Sequence, residues 1–485
     1  MTDSVRIEIY GPTAKISGPF PRSAVRLTTS YPVEGAKFAQ SYRKGMWDGR
    51  KHLFRSTSDT FPSGLTSLVK EACEFAGNQV EIVDHRDILE PRGRTYDLVG
   101  VSMTGKYSYQ LDAAEKAIKA RQGVLRIATN GGKTEVACAI TQYLHLSTLF
   151  MVTTRELLYQ SRERFMKRLG VGEEEVGIIG DGHWEPGTWV TVATVDTIES
   201  RIDRPECQDF IKGVEVLFVD ECHHLGSETW YEICSLCPAN YRYGLSGTPL
   251  DRTDGANLRL LGAIGDIIVD IPNKFLVENG ISARTSIIFS KVTAPILPKK
   301  ITYPAAYKQG IVDNPNALNL VVEWVKVFSS LGLGTLVLCE EISHGKAIDE
   351  LLWTGTDGQF IPHQFIYGEE DTDVRRNALK DFGEGRLPVL VASTILDEGV
   401  DVPTIDALIL AGSRKSRIKT MQRLGRGLRG KKLIAVEFAN FCHDYLLRHG
   451  LQRYEDYKKE ECFPVYQSGP DVELVKKIWN DSSSD

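Results

Sequence analysis

The stretch VLRIATNGGKTE, Val124 to Glu135, constrains this chain more than any other. An apolar run leads into a loop with two glycines, which opens directly into a helical pattern at Lys133-Thr134. Ala128 stands where the usual phosphate-loop pattern has its first glycine, and Gly132-Lys133-Thr134 completes it. The residue types follow from the chemistry. Backbone N–H groups of Thr129, Asn130, Gly131 and Gly132 can close around phosphate at a helix N-terminus, which already favours anions. Lys133 would reach the β- and γ-phosphates, and the Thr134 hydroxyl would bind Mg²⁺. The expected ligands are therefore ATP and Mg²⁺.

A strand–loop–helix unit of this kind belongs in a parallel α/β sheet, and the surrounding sequence supplies one. Short apolar runs at Val124–Ile127, Thr148–Val152, Trp189–Ala193 and Val214–Val219 are bounded by turns and alternate with helical stretches. A second series follows after about residue 280: Thr335–Cys339, His363–Tyr367, Pro388–Ala392 and Asp406–Leu410. The first ~95 residues differ, with alternating segments at Val5–Tyr10 and Ala24–Thr28 and a helical pattern at Leu65–Ala76. Pro91 to Arg94 has the composition of a linker.

The run Val216–Val219 ends in Asp220-Glu221-Cys222-His223, 87 residues beyond Lys133. Carboxylates at the carboxyl end of such a strand face the ligand. Asp220 would hold the Mg²⁺ shell, and Glu221 would orient and deprotonate the attacking water. Farther on, Gln422-Arg423-Leu-Gly425-Arg426-Gly-Leu-Arg429 puts Arg426 and Arg429 at i and i+3, on one helical face. A planar guanidinium suits a γ-phosphate whose charge grows in the transition state. Solvated or nucleic-acid-facing positions are the competing reading for these arginines, most of all for Arg423.

These motifs together resemble those of superfamily-two helicases, in that family's order. Asp220 to His223 resembles the DExH box, and Tyr109-Gln110 the adenine-reading glutamine motif. Thr153 to Leu157 and Val192 to Thr197 resemble the strand-contacting motifs of the first lobe. Leu245-Ser246-Gly247-Thr248-Pro249 resembles the motif that couples hydrolysis to lobe movement. Ser393 to Pro403 resembles the second-lobe motif touching the nucleic-acid backbone and the ATP ribose, and Gln422 to Arg429 the QxxGRxxR motif. The resemblance implies nucleotide contacts at Tyr109, Gln110, Gly399 and Asp401. It implies a catalytic part for Gln422, nucleic-acid contacts at Thr154, Arg155, Thr194 and Thr394, and coupling through His223, Ser246, Gly247 and Thr248.

The flanks narrow the family. Tyr42 to Arg50, read as YxxGxWDGR, closely resembles a segment in the N-terminal domain of tailed-phage recombination and branch-migration helicases. Ser343 to Ile348 resembles the same group's opening motif of lobe two, which adds Ser343 and His344 as nucleic-acid contacts. Tyr445 to Gly450, with Arg453 and Tyr454, resembles its C-terminal tail. The group implies branched DNA as the partner: four-way junctions, forks and RNA–DNA hybrids in R-loops. The net charge of −6 does not announce a nucleic-acid binder, yet Lys37 to Arg55 holds six basic residues against Asp48 alone. Arg43, Lys44, Arg50 and Lys51 are therefore candidate phosphate contacts. Trp47 reads either as a base-stacking wedge or as the core anchor of a small domain.

The expected architecture is α/β. Two tandem RecA-like parallel-sheet lobes span 95–280 and 281–438, behind a small α+β DNA-binding domain at 1–94, with a short extension at 439–485. No stretch approaches the ~18 apolar residues of a membrane span, and the first residues lack a secretory apolar core, so a cytoplasmic protein is expected. No sustained heptad pattern is present, which makes a monomer the expectation. Nine scattered cysteines argue against a disulfide framework. Cys234 and Cys237 have metal-like spacing but no matching second pair, so buried thiols are expected there. An RNA helicase, a restriction-system motor and a catalytically weak junction clamp are the competing functions. The flanks hold no nuclease-like cluster, and Lys133, Glu221 and Arg426 are all present.

Overall fold

The computed structural model describes residues 4–87, 89–250, 255–355, 360–393, 405–412 and 430–481. The chain forms two compact units, one ending at Pro272 and the other starting at Asn273. That division falls ahead of the boundary after residue 280 expected from the sequence.

Near the N-terminus, Val5–Tyr10 pairs antiparallel with Thr13–Ser17 and parallel with Val80–Asp84, and Thr60–Pro62 extends the same sheet. Val5, Ile7 and Ile9 face a small core while the residues between them face outward, the period-two pattern of a half-buried strand. Helix Thr66–Phe75 covers the inner face through Val69 and Cys73. The alternation at Ala24–Thr28 proves misleading: Arg22–Thr28 is a helix that buries only Val25. Five residues are too few to separate one helical turn from a strand, and Pro21 at the N-cap favours the helix.

The N-terminal segment is anchored to the rest of the unit by close backbone packing and by ion pairs. A Cβ on Gly64 would lie 2.1 Å from the Leu261 carbonyl oxygen, so only glycine permits that approach. Lys51 pairs with Glu228, and Arg92 with Glu215 at 3.0 Å.

The larger sheet of this unit runs in the order His183–Glu185, Val176–Gly180, Val190–Thr194, Thr148–Val152, Val216–Asp220, Tyr241–Ser246, Gln122–Ile127, Ile267–Ile271. All neighbours are parallel except the edge strand His183–Glu185. Buried on both faces, the central strands lose their alternation and become continuous Val/Ile/Leu runs.

The second unit holds an all-parallel sheet in the order His363–Ile366, Val389–Ala392, Thr335–Leu338, Ala407–Leu410, Lys432–Asn440, Arg284–Val292, Val465–Gln467. Helix Pro315–Ser330 packs one face through the fully buried Trp324, whose indole N–H donates to Ser290 Oγ at 3.1 Å. Residues beyond 439 supply strand Val465–Gln467 and helices Asp444–Lys458 and Val472–Asn480 to the same sheet. Arg453 binds the buried Glu437 carboxylate at 3.1 Å, tying the first of those helices to strand Lys432–Asn440. The two sheets form two RecA-like lobes. Among the described residues, no helix is long and apolar enough to cross a membrane.

Candidate active site

Register places the chemistry on one edge of the first lobe. Asp220 pairs with Leu245 and Arg126 with Ser246, so the strands ending at Ile127, Asp220 and Ser246 finish side by side. The next strands outward end at Val152 and Thr194, which are themselves register partners. Every first-lobe residue read from the sequence therefore leaves the carboxyl edge of one sheet, except Tyr109 and Gln110, which arrive on helix Ser108–Ala120.

Beyond Ile127 the chain makes a tight turn in which the Gly131 N–H donates to the Ala128 carbonyl at 3.0 Å. Asn130 has φ of 69° and Gly132 of 80°, and helix Lys133–Leu144 begins at once. Left-handed backbone beside a helix N-terminus turns successive N–H groups inward as an anion nest. A Cβ on Gly132 would also lie 2.2 Å from Gln110 Nε2, so a side chain there would displace that glutamine from the loop. Tyr109 OH donates to the Gly131 carbonyl at 2.8 Å and Gln110 Nε2 to the same oxygen at 3.3 Å. The glutamine motif is thus built against the phosphate loop, both side chains buried.

Opposite the loop, Asp220 Oδ1 accepts the Glu221 N–H at 3.0 Å, which holds Glu221 at φ 46°. A left-handed glutamate costs of order 1 kcal/mol or more and persists where the surroundings demand it. Its carboxylate accepts from Lys133 Nζ at 3.3 Å and lies 3.4 Å from His223 Nδ1. His223 Nδ1 is in turn 3.3 Å from Ser246 Oγ, which accepts the Thr248 N–H at 3.1 Å. A continuous polar chain therefore runs from the phosphate loop through Glu221 and His223 to Ser246 and Thr248. Gly247 leaves the adjoining strand beside Ile127, where a Cβ would meet the Ile127 carbonyl at 3.5 Å.

Burial and the adjacent Glu221 carboxylate push Asp220 up to about 6. For Glu221, burial acts upward, but the Lys133 ammonium and His223 outweigh it and hold the carboxyl well below the usual range. Burial likewise opposes the Lys133 charge, and Glu221 and Asp220 more than restore it. One carboxylate is thus neutralised by lysine while the other is left needing a cation.

The site fits a nucleoside triphosphate with a divalent ion. Asn130 Nδ2 is buried with no hydrogen-bond partner among the described residues, the nest faces Lys133, and Asp220 lies close to Thr134's helix. Thr129 to Thr134 would hold the phosphates, and Thr134 with Asp220 the ion.

The candidate strand-contacting residues sort differently. Thr154 caps helix Arg155–Leu169, accepting the Leu157 N–H at 3.3 Å, and Arg155 is exposed and pairs with Asp181 at 3.0 Å. Thr194 is buried, its hydroxyl on Thr197 at 2.9 Å. In the second lobe Ser343 is exposed, but His344 is 1% exposed and burial lowers it to about 4, so its ring is withdrawn from the surface. That removes His344 from the surface contacts. Gly345 explains why: a Cβ there would lie 2.3 Å from the Phe365 ring, so this helix is pressed tightly onto the sheet. Thr394, Gly399, Asp401, Gln422, Arg423, Arg426 and Arg429 lie outside the described residues.

The N-terminal basic segment also divides. Trp47 is half-buried and its indole N–H donates to the Arg50 carbonyl at 2.8 Å. Arg50 donates to Ser30 Oγ and to the Ser30 carbonyl, each at 2.7 Å, and Lys51 is taken by Glu228. Trp47 and Arg50 brace the antiparallel pair Ser30–Pro32 and Arg50–His52, and Lys51 ties that pair to helix Glu228–Leu236. Arg43 and Lys44 remain exposed, together with Phe38 and Met46 at 69% and 72%.

Cys234 and Cys237 are fully buried free thiols, and the described residues hold no metal-binding cluster. Their carbonyls, rather than their sulfurs, are used. Arg242, itself buried, donates to the Cys237 carbonyl at 2.7 Å, to Cys234 at 2.6 Å and to Ala263 at 3.0 Å.

A phosphate nest facing a buried Asp-Glu pair at the edge of a parallel sheet defines a P-loop nucleoside triphosphatase. The family described as type III restriction enzyme, res subunit, matches residues 105–251, and the helicase conserved C-terminal domain matches residues 320–431. The chain belongs to superfamily two of the helicases, enzymes that hydrolyse ATP. It is 26% identical to the ATP-dependent DNA helicase uvsW of Enterobacteria phage T4 over 475 residues, covering 89% of this chain and 92% of the relative. It is 27% identical to the DNA 3'-5' translocase XPB2 of Sulfurisphaera tokodaii over 363 residues, covering 67% and 78%. Among solved structures, S. cerevisiae Dbp5 bound to RNA and ADP BeF3 shares the fold, with a TM-score of 0.52 and 14% identity, covering 76% of this chain and 93% of that one.

Proposed function

We propose that this chain is an ATP-driven DNA translocase that remodels branched DNA: it migrates junctions, regresses forks and unwinds R-loops. The observation that carries this reading is the likeness to the phage DNA helicase, which spans 89% of the chain and so takes in sequence outside the motor lobes. The exposed side chains of Phe38, Tyr42, Arg43, Lys44 and Met46 support it, since they suit a surface that pairs with phosphates and meets unstacked bases. Trp47, Arg50 and Lys51 then serve as its base.

In the first lobe, Lys133 and the loop N–H groups bind the β- and γ-phosphates. Glu221 aligns the attacking water and takes its proton, and His223, Ser246 and Thr248 pass the change to the adjoining strand. Mg²⁺, held by Thr134 and Asp220, would neutralise phosphate charge. Arg426 and Arg429 of the second lobe would stabilise the γ-phosphate, with Gln422 beside them. Hydrolysis then depends on lobe closure, and a finger of this type is worth ~10³ to 10⁵ in rate. Tyr109, Gln110, Gly399 and Asp401 complete the nucleotide contacts, while Thr154, Arg155, Thr194, Ser343 and Thr394 touch the tracked strand. The protein acts as a monomer.

The test is ATPase rate for wild type and Glu221→Gln with no nucleic acid, single-stranded DNA, duplex, four-way junction and RNA. Strongest stimulation by junctions, abolished in the variant, supports the proposal. Equal or stronger stimulation by RNA moves the protein to an RNA-helicase reading. Tight junction binding without turnover makes it a clamp and overturns the motor.

A further inference from the structure

Helix Arg155–Leu169 begins at the candidate strand-contacting residues, and its later turns meet the first turn of the helix that follows the phosphate loop. Arg164 and Arg168, spaced i and i+4, leave the same face and converge on Glu135. Arg164 Nη1 meets Glu135 Oε1 at 2.5 Å and Arg168 Nη2 the same oxygen at 3.5 Å. Arg168 Nη1 also donates to the Val99 carbonyl at 3.2 Å, which fixes that guanidinium. The Glu135 side chain is 14% exposed and follows Thr134 directly, in the first turn of the phosphate-loop helix. It lies against the turn itself, its Cβ 3.7 Å from where a Gly132 Cβ would stand.

A carboxylate at this position has two opposed effects. A helix N-terminus favours it, but a triphosphate bound in the adjoining nest is repelled by it. Arg164 and Arg168 screen that repulsion, and they do so from a helix whose other end carries the candidate strand contacts Thr154 and Arg155. There, Asp181 accepts both Arg155 Nε at 3.0 Å and Tyr159 OH at 2.7 Å. A backbone phosphate that competes for Arg155 therefore pulls on one end of a rod ~22 Å long, at 1.5 Å per residue. The clamp on Glu135 is at the other end.

We propose that Glu135, held by Arg164 and Arg168, is a positioning residue through which strand binding at Thr154 and Arg155 sets the affinity of the phosphate loop for ATP. This rests on the nucleic-acid motor reading. Glu135 is tied to Arg164 and Arg168, and it acts through the charge and placement of the Lys133–Thr134 turn.

The experiment measures kcat and KM for ATP, with and without single-stranded DNA, in wild type, Glu135→Gln, Arg164→Ala, Arg164→Lys and the double variant Glu135→Gln/Arg164→Ala. Glu135→Gln should lower the DNA-free KM about threefold or more, leave DNA-free kcat within about twofold, and erase most of the DNA-induced change in KM. Arg164→Ala should raise the DNA-free KM by a similar factor, Arg164→Lys should restore it, and the double variant should match Glu135→Gln alone. Parallel loss of kcat with and without DNA, or additive effects in the double variant, would overturn the proposal in favour of a purely structural pair. Unchanged KM in Glu135→Gln would overturn it outright. A wild type unresponsive to DNA would instead refute the motor reading, while the DNA-free KM values still judge the electrostatic part of the clamp.

Discussion

Replacing Asp220 by asparagine should remove catalysis and, without nucleotide, make the protein more stable. The residue is 9% exposed, its Oδ1 accepts the Glu221 N–H at 3.0 Å, and the nearby Lys133 ammonium is hydrogen-bonded to Glu221. Burial and the Glu221 charge push its carboxyl from 3.8 up to about 6. The folded state then binds this proton more tightly than the unfolded chain does. Ionisation of Asp220 therefore works against folding: stability falls as pH rises from about 4 through 6, and the full penalty is present above that window. Two units at 1.36 kcal/mol each set the penalty at about 3 kcal/mol at pH 7.5. Part of it belongs to the pair with Glu221 rather than to Asp220 alone. Asparagine keeps the acceptor oxygen and the shape, so about 1 to 3 kcal/mol should be recovered. For a unit of this size that is a Tm increase of about 2 to 5 °C. The measurement is a thermal melt of wild type and Asp220→Asn, without nucleotide and with a chelator, at pH 7.5 and near pH 4. The gain should be present at the higher pH and absent at the lower. Adding Mg·ATP should reverse the order, because only the wild type can use the ion. A variant less stable than wild type at pH 7.5, or a gain of equal size at both pH values, would refute the argument that burial and Glu221 load this carboxylate.

Three further outcomes follow from local geometry. Gly132→Ala combines a φ of 80° with a Cβ contact of 2.2 Å to Gln110 Nε2, so ATP binding should weaken at least 10²-fold in a fluorescent-nucleotide titration while the far-ultraviolet circular dichroism stays native. Arg242→Ala would leave three buried carbonyls without their donor, and denaturant melts should show a loss of about 3 to 5 kcal/mol; a zinc chelator should leave the wild-type melt unchanged. Lys51→Ala removes one partly exposed ion pair with Glu228 and should cost under about 1 kcal/mol in the same melts, less at high salt.

Much of the first lobe was legible because its constraints are local. Continuous apolar runs such as Thr148–Val152 can be satisfied only in a sheet covered on both faces, and the runs found in the sequence match strands to within a residue or two. The phosphate loop and the Asp220-Glu221 pair were legible for another reason: the chemistry leaves few residue types able to perform it. Side-chain direction was less accessible. Arg43, Lys44, Arg50 and Lys51 are alike as charges along a chain, yet two are exposed and two are committed to Ser30 and Glu228. That choice is made by the antiparallel pairing of Ser30–Pro32 with Arg50–His52, which no short motif encodes. His344 followed the same logic in reverse, the motif resemblance implying a nucleic-acid contact while Gly345 let the helix sink onto Phe365. Cys234 and Cys237 are buried thiols, and what joins them is one buried guanidinium on their carbonyls, which no cysteine spacing reveals. The Glu135 clamp left a usable trace, an acid directly after Gly132-Lys133-Thr134 and two arginines at i and i+4, but only the packing of the two helices joins them.

The charge arrangement at the edge of this sheet also bears on why hydrolysis can be turned into movement. Lys133 here neutralises Glu221, and a γ-phosphate would compete for the same ammonium. Once the lysine turns to phosphate, Glu221 loses its principal counter-charge and its basicity rises, which is what a group taking a proton from water needs. The partner left to it is His223, already 3.4 Å away and 3.3 Å from Ser246. Strengthening the first of these contacts draws on the second, and Ser246 also holds the Thr248 N–H at the start of the coupling motif. On the proposed mechanism, nucleotide binding would thus activate the base and disturb the end of the neighbouring strand through the same atoms. A His223→Ala variant should therefore retain ATP turnover to a larger degree than strand displacement. Equal losses in ATPase and unwinding assays would mean that the polar chain serves the chemistry alone.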